Sequence, residues 1–309
     1  MRVTAANAFD TSVGNLQRRQ TDLSQASDRL TSGKRVAVAS DDPVAAARAE
    51  RALAAMVRSE ANQRALEASR NVMQQAEAAL GDAGELLQQA RELVVSAGNG
   101  SYSDADRATL AKSIQGIRNQ LLGVANRTDG AGTYVFGGQG SDQEPFIDTP
   151  TGVQFRGTTG QNKAPSDEPL PMSVDGKQAW LSAPAAVSGD PDLSIFSVLD
   201  KAYADLTSVG LAGTVIKQNT SDNLRDLDAV MANLLAQRAS AGEVLNRTDS
   251  VEQRIADSKL AAQTDRSNAE DLDMVQAVAD FQNKQSGYDA ALKSYSMVQK
   301  LSLFQYISA

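Results

Sequence analysis

FDTSVGNLQRRQTDLSQASDRL (residues 9–30) sets Phe9, Val13, Leu16, Gln20, Leu23, Ser27 and Leu30 at alternating four- and three-residue steps. MVQAVADFQNKQSGYDAALKSY (residues 274–295) repeats the rhythm with Met274, Val278, Phe281, Gln285, Tyr288, Leu292 and Tyr295. Each series places one side chain per half-heptad on a single helical face, the seam along which helices supercoil. Gln20, Ser27 and Gln285 interrupt the apolar runs, which weakens each helix alone and helps specify register and partner. Two narrow seams at opposite ends of one chain predict helices that meet each other, other copies, or both. They point to assembly rather than catalysis. Helices of this kind draw their stability from packing, so their ends stay marginal until a partner completes them. A bland reading, an intramolecular coiled coil, also explains the stripes.

Composition supports the same direction. The 309 residues are 41% hydrophobic with only 5% aromatic, which suits closely packed helices better than a large aromatic core. A net charge of −8 disfavours nucleic acid, where a basic face supplies most of the affinity, and disfavours anionic membrane surfaces for the same reason. The chain has neither Cys nor His. Disulfides, thiol nucleophiles, the usual zinc ligands and the commonest general base are thereby excluded, and no metal or cofactor is expected. No apolar segment follows Met1–Arg2, and no run reaches the length of a membrane span. An exported form is expected to leave the cell without a cleavable signal.

Working inward from the stripes, a first helix is expected over about residues 4–30, stopped at Ser32–Gly33. Asp41–Asp42–Pro43 reads as a helix start, a carboxylate cap with proline in the first turn. That helix runs to about Ala97 before Gly98–Asn99–Gly100, with a weak point expected at Gly81 and Gly84, since each costs about 1 kcal/mol relative to Ala. Ser103–Asp104–Ala105–Asp106 resembles a capping box opening a helix to about Asn126. The period then changes. Thr133–Tyr134–Val135–Phe136 has strand composition, and residues 153–156, 171–174 and 178–181 are strand candidates, with Asp175–Gly176 as a hairpin turn. Helical spacing returns at Leu193, and from about Thr220 onward the pattern is almost entirely helical. The fold class is therefore mainly α. It is a long helical hairpin, a coiled-coil bundle built from both termini, carrying a small β-rich inserted domain. The expected divisions are 1–40 with 270–309, 41–140 with 191–269, and 141–190.

Chemical motifs are weak by contrast. Gly137–Gly138–Gln139–Gly140 follows a strand candidate but leads into no helix, so a turn outweighs a phosphate loop. Ser32–Gly33–Lys34–Arg35 reads as a helix stop with solvated charge. The carboxylates Asp41–Asp42, Asp104/Asp106 and Glu270–Asp271/Asp273 sit at apparent helix boundaries, where capping explains them. Asp148, Asp167, Glu168 and Asp175 in the insertion could serve a secreted enzyme, but no telling spacing pairs them.

Several motifs in order resemble the bacterial flagellin superfamily. They include Leu30–Thr31–Ser32–Gly33–Lys34–Arg35–Val36, then Ser40–Asp41–Asp42–Pro43–Val44–Ala45, and Asn126–Arg127–Thr128–Asp129–Gly130 leading to Tyr134–Val135–Phe136–Gly137–Gly138. Towards the end, Arg238, Gly242, Leu245 and Asn246, the Glu270–Asp271/Asp273–Met274 junction, and Leu301–Ser302–Leu303–Phe304–Gln305–Tyr306 are similar to the same family. The Gly-Lys-Arg-Val and Asp-Asp-Pro forms look like its hook–filament junction branch. Gln305 stands where that branch usually has Asp, and residues 148–189 match no motif.

The resemblance implies a non-enzymatic structural adaptor of the extracellular flagellum, exported unfolded through the flagellar type III channel. Partners implied are further copies in a ring, the first junction protein on the hook side, flagellin on the filament side, and a cytoplasmic chaperone on the C-terminal helix. The terminal helices form the inner layer, the long helices the next, and the insertion faces solvent. The expected assembly interface comprises Phe9, Val13, Leu16, Leu23, Leu30, Met274, Val278, Phe281, Tyr288, Leu292, Tyr295, Leu301 and Phe304. A filament-forming flagellin is the nearest alternative.

Overall fold

A computed structural model describes residues 2–307 apart from 131, 141, 165 and 188, with side chains described over 9–297 and at 299. Among the described residues the elements run α1 (Arg2–Ser32), α2 (Pro43–Ala97), α3 (Asp104–Ala125), β1 (Phe146–Thr149), β2 (Gly152–Phe155), α4 (Gly176–Trp180), α5 (Ile195–Thr207), α6 (Gly213–Glu270) and α7 (Met274–Ile307). The chain is thus mainly α with one small sheet. It divides into two compact units, residues 1–59 with 257–309, and residues 60–256.

In the second unit the buried positions of α2 include Met73, Ala76, Leu80, Ala83, Leu87, Ala90 and Val94, spaced by threes and fours, with Val72 and Ala79 widening the buried face. On α3 the buried set is Arg107, Ala111, Ile114, Ile117, Arg118, Leu121 and Ala125, and on α6 it includes Asn223, Leu227, Val230 and Leu234, mostly in threes and fours. Alternating Leu with Ala lets helical backbones approach closely while Leu fills the remaining space. Each fully buried Leu contributes about 1.5–3 kcal/mol. Gly81 and Gly84 do not interrupt α2. Arg238 lies 3.5 Å from where a Cβ on Gly81 would sit, and Leu234 lies 3.8 Å from the corresponding point on Gly84. Packing against α6 outweighs the local propensity cost.

The insertion is held by aromatic rings. β1 and β2 pair antiparallel, Phe146 opposite Phe155 and Thr149 opposite Gly152. Phe136 meets the edge of Trp180 at 5.4 Å between ring centroids, and Trp180 stacks on Phe196 of α5 at 6.2 Å. Of the expected strands, 153–156 corresponds to β2, while residues near Tyr134 and Pro171 form only single bridges, to Thr128 and Lys163. Residues 178–181 are not a strand. Asp175 caps α4 by accepting from the Gln178 amide at 3.3 Å, and the helix carries Trp180 into the core. Asp-Gly suits a hairpin turn and a helix start equally. In the helical turn Trp180 is fully buried against the edge of Phe136.

In the first unit α1 packs on α7. Gly33, at φ +68°, ends α1 with its amide donating to Arg29 O at 2.9 Å. Asp42 caps α2, accepting from the Val44 and Ala45 amides at 3.1 and 3.0 Å, with Pro43 in the first turn. Asp273 caps α7 in the same way, accepting from the Val275 and Gln276 amides.

Candidate functional site

The α1–α7 pair is a two-helix layer whose seam is only half closed. Val13, Leu16, Leu23 and Leu30 on α1, and Phe281, Tyr288 and Tyr295 on α7, are half-buried, and the Phe9 ring lies 5.6 Å from that of Tyr295. Gly287 gives room for Arg19 to cross α7, since a Cβ there would lie 2.6 Å from Arg19 Nη1. Other predicted seam positions remain exposed: Phe9 at 40%, Met274 at 50%, Val278 at 43% and Leu292 at 40%. The side chains of Leu301 and Phe304 lie outside the described residues. On α1 Ala26 is buried, and no described side chain of α7 is. The α7 stripe is therefore half covered, with Phe281, Tyr288 and Tyr295 half-buried and Met274, Val278 and Leu292 exposed.

In the same unit α2 and α6 border a groove of about 700 Å³ lined by Ala52, Ala55, Ala261 and Ala262 together with Arg48 and Asp265. Small side chains of this kind admit a close helical approach.

The breaks between helices are joined to one another. Arg35 and Val36 amides donate to Glu270 O at 2.7 and 3.3 Å, and the Leu272 amide donates to Gly33 O at 3.0 Å. Lys34 Nζ donates to Glu270 Oε2 at 3.3 Å, Arg266 Nε to Glu270 Oε1 at 2.7 Å, and Arg35 Nη2 to Ala269 O at 2.7 Å. Lys34 and Arg35 read from sequence as solvated charge. They instead clasp the α6–α7 break to the α1–α2 break, which a one-dimensional pattern separated by more than 230 residues does not reveal. Asp41 accepts from the Val38 and Ala37 amides, which hold its carboxyl below the usual range, and Asp42 is held low chiefly by the Ala45 amide.

The insertion's carboxylates are each engaged by the fold. Asp148 takes both prongs of Arg118, at 2.7 and 2.9 Å, and this guanidinium holds its carboxyl below the ordinary range. Asp167 accepts from Asn62 at 2.8 Å, and Glu168 accepts from Arg247 and Arg254. Asp175 accepts from the Gly160 amide at 2.7 Å while capping α4. Asp104 is held low by the Gly210 amide and then Arg107, and Asp106 by the Ser103 hydroxyl inside the capping box. Gly138, at φ +68°, sits where a Cβ would lie 1.8 Å from Thr158 O, so the glycine-rich segment packs backbone on backbone. Among the described residues no group of His, Cys, Asp and Glu could hold a metal ion, and no helix is long and apolar enough to cross a membrane.

Residues 5–141 match the bacterial flagellin N-terminal helical region. This match makes the N-terminal part of the chain, with its half-closed helical layer and capped breaks, similar to the bacterial flagellin superfamily. The chain is similar over nearly its whole length to flagellar hook-associated protein 3 of Salmonella typhimurium, 29% identical with 99% of each chain covered, and to that of Escherichia coli, 28% identical with the same coverage. A flagellin of Bacillus subtilis is 24% identical over 82% of each chain. The fold is like that of hook-associated protein 3 of Legionella pneumophila, with TM-score 0.62 and 18% identity over 70% of this chain and 97% of that one. It is also like FlgL of Xanthomonas campestris, with TM-score 0.60 and 20% identity over 71% of this chain and 99% of that one.

Proposed function

We propose that this chain is a structural adaptor of the bacterial flagellum, seated between hook and filament and assembled through its terminal helices. The observation that carries the reading is a two-helix layer, α1 on α7, that leaves Met274, Val278 and Leu292 exposed in a chain whose full-length relatives are hook-associated proteins. Apolar side chains left half in water withhold much of the roughly 25 cal/mol per Å² that burial contributes, and neighbouring subunits recover it. In this reading residues 1–40 with 270–309 form the inner layer, 41–140 with 191–269 the layer outside it, and 141–190 the solvent-facing insertion. Phe9, Val13, Leu16, Leu23, Leu30, Met274, Val278, Phe281, Tyr288, Leu292, Tyr295, Leu301 and Phe304 form the interface. The partners are further copies in a ring, the first junction protein below and flagellin above. Export proceeds unfolded through the flagellar channel, with a chaperone on the C-terminal helix beforehand.

Deleting the gene in its native bacterium tests the reading. Hooks without filaments, with flagellin lost to the medium, are expected. Hooks bearing normal filaments overturn the junction role, and bare hooks with no flagellin anywhere make the chain the filament subunit, the alternative favoured by its likeness to the Bacillus flagellin.

A further inference from the structure

The second unit is covered differently along its length. Over residues 73–94 of α2 the third wall is α3, whose buried Ile114 and Leu121 face the seam. Over residues 62–70 that role passes to a loop of the insertion. Leu170, 1% exposed, lies against Leu66 of α2 and Val251 and Ile255 of α6. The same loop is bonded to both helices. Asn62 donates to Asp167 at 2.8 Å, and the fully buried Ser69 hydroxyl donates to Pro171 O at 2.6 Å. Glu168 accepts from Arg247 at 2.8 Å and from Arg254. The loop is braced behind by its own backbone, with the Ala164 amide donating to Leu170 O at 2.8 Å and the Met172 amide to Asn162 O at 2.7 Å.

On α2 the engaged positions are 62, 66 and 69; on α6 they are 247, 251, 254 and 255. Each set occupies one helical face, at the spacing a third helix would use. The strap thus stands in for a helix, with Leu170 as its knob and Glu168 and Asp167 as its polar flanks.

We propose that the strap at residues 166–171 is a register lock, a conformational device that prevents α2 and α6 from sliding or twisting past one another in this stretch. Sliding by even one turn would carry Leu66 and Ser69, or Val251 and Arg254, away from fixed partners on the loop. With the strap seated, a displacement of the insertion is delivered directly to both long helices. With it lifted, Leu66 and Val251 are left in a two-helix stretch with no third wall.

The chain has no cysteine, so spin labels at Arg64→Cys and Asn246→Cys, both exposed positions, report the separation of the two helices without background. The full chain is compared with Leu170→Ala and with Glu168→Gln, the latter keeping the apolar knob and side-chain volume so that folding survives. We expect a narrow distance distribution in the parent and a broadened or displaced one in both variants. Amide exchange is expected to be about tenfold faster over 60–70 and 246–256 and unchanged over 76–94, as befits local opening. Narrow distributions in both variants with unchanged exchange overturn the proposal. So does exchange that rises equally over 76–94, which makes the strap ordinary core. Neither readout depends on flagellar assembly.

Discussion

Arg118 and Asp148 form a two-pronged ion pair at 2.7 and 2.9 Å, with the Arg118 side chain 9% exposed and Asp148 45% exposed. The pair ties α3 to β1, and Asp200 of α5 approaches Arg118 Nε at 2.6 Å from the other side. The guanidinium also stands 6.0 Å from the centre of the Phe196 ring. One helical arginine therefore joins the hairpin, α5 and the aromatic cluster.

Arg118→Ala is expected to destabilise the second unit by about 1–2 kcal/mol. The value lies below that for a fully buried pair because the abandoned carboxylates can reach water. Arg118→Lys recovers only part, lacking the fork that serves two oxygens. Denaturant unfolding read by Trp180, the chain's single tryptophan, measures both. An unchanged midpoint for Arg118→Ala would show that the pair is ornamental.

The same pair sets an acid response. Asp148 is held below the ordinary carboxylate value by Arg118, so it binds protons less readily folded than unfolded. Its contribution is complete above the unfolded value of about 4 and is lost as pH falls through the lower folded value. The gap between parent and Arg118→Ala should thus be widest near neutral pH and close in strong acid. A gap constant down to pH 2 contradicts this assignment.

Gly176→Ala is expected to dislodge the insertion, because its Cβ would lie 2.1 Å from Phe136 O, a backbone atom that cannot step aside. A cost of about 3 kcal/mol is expected. The fully buried Trp180 lies in the same short helix, so its emission should shift to longer wavelength. Emission matching the parent would show that the segment accommodates the methyl.

Leu292→Ala is expected to impair polymerisation or motility while leaving the monomer's thermal midpoint within about 2 °C, since an exposed side chain contributes little to the free chain. Phe281→Ala, half-buried against α1, should lower both. Equal loss of assembly and folding in the Leu292 variant would remove it from the interface.

Gly33→Ala forces a methyl into a left-handed backbone where space is open, so strain alone acts, at about 1–2 kcal/mol. Amide exchange should quicken at Arg35, Val36 and Leu272, which depend on the clasp around that glycine. Unchanged protection there would separate the clasp from the turn.

Much of the helical frame was legible in the order of residues. Alternating threes and fours marked α1 and α7, Gly33 and Gly98 marked stops, and Pro43 with Asp42 and Ser103 with Asp106 marked starts. These are local effects, in which a side chain meets its own backbone within a turn or two. Asp175–Gly176 was read wrongly because that dipeptide serves two local structures, and the choice lay with Trp180 and its distant ring partners.

By itself the sequence determined that the chain would be helical at both ends and free of cysteine and histidine chemistry, because periodicity and composition act within a few residues. Only the tertiary structure decided which half of each terminal stripe is covered, that Lys34 and Arg35 clasp Glu270 and Ala269, and that Leu170 with Glu168 completes the wall over α2 and α6. Those outcomes join residues about 80 to 230 positions apart, and at such separations burial and charge pairing in three dimensions select among faces that local spacing leaves equivalent.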